Sequence, residues 1–126
     1  MRLYSMPSSG NSYKVRLLLA LLGRAAEVVD CEYGSSNLAD ARAVLPYGKV
    51  PTLVLDDGQV VAESDAILWY LGEGTAFVPV DPVARAQMLA WMFWRCCLSS
   101  GRENFRRPSR SPPVTLKLRN TLSLSW

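Results

Sequence analysis

A chain of 126 residues, 49% hydrophobic, has room for one ordinary domain with a real core and little more. It contains no histidine, so zinc and imidazole-base chemistry lack their usual residues, and three cysteines (Cys31, Cys96, Cys97) make no disulfide framework. The net charge of +3 conceals a reversal: residues 1–94 sum to −3 and residues 95–126 to +6, which divides the chain into two unlike segments.

Arg2 to Ser5 reads as a short strand entering the loop Met6-Pro7-Ser8-Ser9-Gly10-Asn11. Its start lacks the apolar stretch of a signal peptide, and no apolar run approaches the ~20 residues of a membrane span. A cytoplasmic address and no membrane partner are therefore expected. Val15, Leu18, Leu19 and Leu22 then recur at the spacing of one helical face, and Gly23 suits the helix stop. Leu17 and Leu21 lie off that face, so the helix is expected to be deeply buried.

Glu27 to Tyr33 alternates, with Val29, Cys31 and Tyr33 on one side, and predicts a half-exposed strand. Gly34-Ser35-Ser36 breaks it, a weak helix follows over Asn37 to Val44, and Pro46-Tyr47-Gly48 makes a turn. Pro51 to Leu55 and Gln59 to Ala62 flank Asp56-Asp57-Gly58, a hairpin signal because Asp-Gly tolerates positive φ. A helix from Ser64 to Leu71 has Ser64 as N-cap, Asp65 in its first turn, and Gly72 and Gly74 at its close. The order βαβ then ββα predicts an α/β fold: a four-stranded mixed sheet with helices on its faces. Phe77 to Val80 is a linker, and Asp81-Pro82 caps a further helix to about Trp94, with Leu89 and Phe93 on one side. Beyond Trp94, Arg, Ser and Pro dominate without a period that would build a core, and a disordered tail is expected.

Three short motifs carry chemistry. Ser9-Gly10-Asn11-Ser12 opens the first helix, where a thioredoxin fold keeps its C-x-x-C pair, with serine in both cysteine positions here. Unpaired N–H groups and a positive helix end stabilise an anion, and a hydroxyl there can donate to a bound thiolate. Lowering a thiol pKa from ~8.5 to ~6.5 needs about 3 kcal/mol, within reach of one charge-assisted hydrogen bond plus the helix end. Ordinary N-capping explains the same serines. In Gly48-Lys49-Val50-Pro51, a cis proline would turn the Val50 N–H and C=O outward to pair with an extended peptide, whereas a plain turn before a strand needs neither. At Glu63-Ser64 the hydroxyl and helix N–H groups suit a carboxylate, and Glu63 suits an ammonium. Capping accounts for Ser64 equally well.

In register, Leu3-Tyr4-Ser5, Ser9 to Arg16, Gly48 to Leu53 and Glu63 to Leu71 closely resemble the N-terminal domain of bacterial glutathione S-transferases, over roughly residues 1–94. The resemblance implies a thioredoxin-like, glutathione-binding domain over residues 1–76, a linker and the start of a helical domain over 77–94, and a basic tail over 95–126. It implies a cis peptide at Pro51, glutathione as co-substrate with no metal, and a homodimer. Val50 would pair with the glutathione cysteine backbone, Glu63 and Ser64 would hold the γ-glutamyl end, and Lys49 would reach the glycine carboxylate. Ser9 aligns with the activating Ser or Cys, with Asn11 and Ser12 as rival thiol partners, and Tyr4 lies too early. The implied function is binding of glutathione and activation of its thiol for conjugation or thiol–disulfide exchange.

Members of the family continue into a long all-helical domain that supplies the electrophile pocket. The change at Arg95 reads as a frameshift or truncation, which makes a catalytically weak glutathione-binding module the alternative and leaves enzyme activity undecided. A patch including Trp69, Trp91 and Trp94 is then expected to be open. The tail arginines give at best salt-dependent, non-specific nucleic-acid contact, and sparse aromatics argue against base stacking.

Overall fold

The computed structural model describes residues 1–45 and 48–99, the side chains of residues 40, 43, 44 and 95–99 excepted. Its elements are β1 (Arg2–Ser5), α1 (Gly10–Leu21), β2 (Glu27–Asp30), α2 (Ser36–Val44), β3 (Thr52–Val54), β4 (Val60–Ala62), α3 (Ser64–Gly72) and α4 (Pro82–Ser99). The four strands form one mixed sheet in the order β2-β1-β3-β4. β1 pairs parallel to β2 and antiparallel to β3, and the β3–β4 hairpin turns at Gly58, where φ is +84°. This is the thioredoxin-like arrangement of βαβ and ββα units.

Two apolar clusters sandwich the sheet. Leu3 and Leu53 pack with Val15, Leu18 and Leu19 of α1 and with Ile67 and Leu71 of α3. Met6, Cys31, Leu38, Ala41 and Leu45 form a smaller cluster that seats α2, with Val29 and Val50 against it. Burial by desolvation, the largest cause, and the Asp30 charge push the Cys31 thiol above its ordinary pKa, although its backbone link to Ser5 opposes the rise.

Several expectations from sequence are corrected. Leu17 and Leu21 are 42% and 60% exposed, because only one side of α1 meets the sheet and α3; the helix is amphipathic, not immersed. β2 stops at Asp30, since its partner β1 ends at Ser5 and only the Cys31 N–H still reaches the Ser5 carbonyl, at 2.8 Å. Asn37 Nδ2 then donates to the Asp30 carbonyl at 3.0 Å as the chain turns into α2, and Tyr33 is exposed. Ser64 is the first residue of α3 and not its N-cap, a position that Glu63 occupies. Trp69 is half-buried, whereas Trp91 and Trp94 are exposed and meet edge-to-face at 5.5 Å.

Asp81 caps α4 as expected, its carboxylate accepting the Ala84 N–H at 2.8 Å. The helix, however, continues to Ser99 and does not end near Trp94. Its extra residues include Arg95 and Leu98, both good helix formers, so the helix runs past the point where the charge reverses. The Pro46-Tyr47 part of the predicted turn and the expected tail beyond residue 99 lie outside the described residues. No helix among the described residues is long and apolar enough to cross a membrane.

Candidate functional site

The β1–α1 loop and the start of α1 are held by side chains of α1 itself. The buried Ser12 hydroxyl accepts the Met6 N–H at 3.1 Å, and the Ser9 N–H donates to the Met6 carbonyl at 3.0 Å. The Arg16 guanidinium donates to the Ser5 hydroxyl, to the Met6 carbonyl at 3.2 Å and to the Pro7 carbonyl at 3.1 Å. Ser9 is thereby fixed as the N-cap of α1, its Oγ accepting the Ser12 N–H at 3.4 Å.

Because that bond uses a lone pair of Ser9, the Ser9 O–H remains available as a donor. The Gly10 and Asn11 N–H groups have no partner among the described residues, and the first turn of α1 carries no acidic side chain to offset its positive end. Ser12 is in a different position: its oxygen is fully buried and already bonded, which leaves it poorly placed as a thiol partner. Asn11 is exposed at the helix start and does not line the cleft described next.

Met6, Ser8 and Ser9 form one wall of a cleft of about 410 Å³. Gly48, Lys49 and Val50 form another wall, and Tyr33, Leu38 and Arg42 close it from the β2–α2 side. Lys49 and Arg42 are both exposed cations, and among the described residues no acidic side chain lines the cleft. The Arg42 stem lies against the Gly48 backbone: a Cβ at Gly48, where φ is +56°, would stand 3.4 Å from the Arg42 Cγ. Tyr33 and Arg42 were not legible as site residues, since an exposed tyrosine after a strand and an arginine on a weak helix carry no local signature.

The Val50–Pro51 peptide is cis, and Pro51 is buried. The Val50 N–H and C=O have no hydrogen-bond partner among the described residues, so Val50 presents an open strip of backbone beside the cleft. Thr52 pairs with Ala62 in the antiparallel β3–β4 ladder, which carries Glu63 and Ser64 alongside Pro51 and Val50. Lys14 of α1 forms an ion pair with Asp65 in the first turn of α3, so the amino ends of the two helices are drawn to the same side of the sheet.

Glu63 has φ +67°, uncommon for a residue with a side chain, and makes no side-chain cap. Its exposed carboxylate is left outside α3, and the Ser64, Asp65 and Ala66 N–H groups have no partner among the described residues. The Ser64 hydroxyl, almost buried, has no protein partner among the described residues. Ser9, Lys49 and Val50 therefore share the cleft, Pro51, Glu63 and Ser64 adjoin its Val50 edge, and Asn11 stands apart. Among the described residues no group of three or more His, Cys, Asp or Glu stands together as a metal site would require.

Such an arrangement offers one helix end and hydroxyl to an anion, a backbone strip to an extended peptide, and a second helix end beside a carboxylate to an amino-acid terminus. Known proteins resemble the chain over this region. Over 97 residues the chain is 41% identical to a probable maleylacetoacetate isomerase of Caenorhabditis elegans, covering 70% of this chain and 42% of that protein. A crystal structure of a possible glutathione S-transferase from Rhodopseudomonas palustris superposes with a TM-score of 0.70 at 45% identity, covering 76% of this chain and 51% of that one. A glutathione transferase homolog from Sulfitobacter, solved with bound glutathione, superposes with a TM-score of 0.67 at 28% identity, covering 75% and 48%. The chain thus spans about half the length of the relatives it matches. The model of the glutathione S-transferase N-terminal domain matches residues 3–76, and the chain belongs to the glutathione S-transferase family.

Proposed function

We propose that the chain binds glutathione in the cleft between Ser9 and Val50 and holds its sulfur as a thiolate. The Ser9 O–H and the Gly10 and Asn11 N–H groups face the sulfur, whose proton passes to solvent. Val50 pairs through its backbone with the cysteinyl unit of the tripeptide. The γ-glutamyl carboxylate takes the Ser64 hydroxyl and the uncapped N–H groups of α3, and its ammonium takes Glu63. Lys49 meets the glycine carboxylate. The domain of residues 1–76 carries this cradle, in a cytoplasmic protein that pairs as a homodimer.

The thiolate is then available for conjugation to an electrophile or for thiol–disulfide exchange, and the name of the 41%-identical relative adds isomerisation as a third use of it. The observation that carries this reading is Ser9: an N-cap whose lone pair is engaged and whose proton is free, at a helix end with two open N–H groups and no neutralising acid.

Calorimetric titration of the full chain with glutathione tests it. Binding at millimolar or lower concentration, weakened at least about tenfold (~1.4 kcal/mol) by Ser64→Ala, is the expected outcome. No heat of binding at millimolar glutathione contradicts the reading. Binding without turnover of a generic electrophile would restrict the function to a glutathione-binding module.

A further inference from the structure

We infer that Arg16 is a positioning residue for the thiol, acting through the loop that carries Ser9 and never touching the ligand; this rests on the reading of the cleft as a glutathione site. Three acceptors converge on one guanidinium: the Ser5 hydroxyl and the Met6 and Pro7 carbonyls. A planar fork of five donors is suited to this, and a single ammonium is not. The Met6 carbonyl is shared, since the Ser9 N–H donates to the same oxygen. Met6 is held from the other side as well, because the Ser12 hydroxyl accepts its N–H. Ser12 and Arg16 are one helical turn apart, so a single stripe of α1 grips both the N–H and the C=O of Met6.

Two consequences follow for a sulfur anion beside Ser9. The first is geometric: the Met6 carbonyl sets the Ser9 backbone, and the Ser9 backbone sets the direction of its O–H. The second is electrostatic. Arg16 does not line the cleft, yet its guanidinium engages the carbonyl oxygens of Met6, which does, and of Pro7 beside it. Released, those two partial negative charges would be free to swing towards the sulfur and oppose its ionisation. Arg16 forms no ion pair with any described residue, so its charge is not spent on a carboxylate.

The test follows the ultraviolet thiolate band of bound glutathione against pH in the full chain, with S-methylglutathione as a ligand that has no ionisable sulfur. Arg16→Gln is expected to raise the pKa of the bound thiol by about one unit, while the affinity for S-methylglutathione stays within about twofold. Arg16→Lys keeps the charge but reaches fewer acceptors, and its shift should lie between wild type and Gln; it decides the matter if the Gln variant does not fold. An unshifted thiol pKa in the folded variants, or S-methylglutathione affinity falling as far as glutathione affinity, overturns the proposal. Absence of a thiolate band in the wild-type chain would instead refute the glutathione reading itself.

Discussion

The two faces of the sheet are built differently. On one, α1 and α3 bury five residues against Leu3 and Leu53, and five of these seven are fully enclosed. On the other, α2 rests on a smaller cluster around Cys31 and Leu38, and that cluster borders the cleft through Met6, Leu38 and Val50. The first face is scaffold: it fixes the amino ends of α1 and α3, where the proposed anion-binding groups lie. The second carries Arg42, whose stem packs against Gly48 at the cleft. The two faces thus differ in packing, the first almost fully enclosed and the second bordering the cleft.

The largest effect that can break this division is a cavity in the scaffold. Ile67→Ala is expected to destabilise the chain by about 4 kcal/mol in denaturant unfolding, because the site is fully enclosed and cannot collapse. Leu38→Ala should cost less, about 2 kcal/mol, at the low end for such truncations, while also weakening glutathione binding because Leu38 lines the cleft. Equal losses, or a larger loss for Leu38, would remove the distinction. Next in size is Ser64→Ala, expected to leave the unfolding midpoint almost unchanged while weakening glutathione, since its hydroxyl supports no other described residue.

The smallest effect concerns pH. The Cys31 thiol is held neutral by burial, with a folded pKa above its unfolded one. The stability this contributes is complete below the ordinary thiol value of about 8.5 and is lost as pH rises from there through the folded value. Denaturant midpoints of wild type should fall over that alkaline window, and Cys31→Ala should flatten the fall. Equal slopes for the two chains would show that Cys31 does not contribute it.

Much of the scaffold was legible because period and turn chemistry agree there. Val15, Leu18 and Leu19 mark the buried side of α1, and Asp57-Gly58 marks the hairpin. What period cannot convey is how many sides of a helix find a partner, hence the misplaced Leu17 and Leu21. The end of α4 was placed early, near Trp94, because the period fades before the helix stops at Ser99. The cleft was less visible than the scaffold. Ser9, Lys49, Val50 and Ser64 follow from motif and resemblance, but the positive φ of Glu63 has no sequence signal in a residue other than glycine. Arg16 left one faint clue, a charged side chain in an apolar helical run one turn after Ser12.

The central claim is that the amino end of α1, through Ser9, ionises a bound thiol. Its most direct test is the pH titration of the thiolate band of glutathione bound to wild type and to Ser9→Ala. A bound thiol well below its solution pKa in wild type, raised by about one unit or more in the variant with glutathione still bound, is the predicted result. Superimposable titration curves for the two proteins would contradict it.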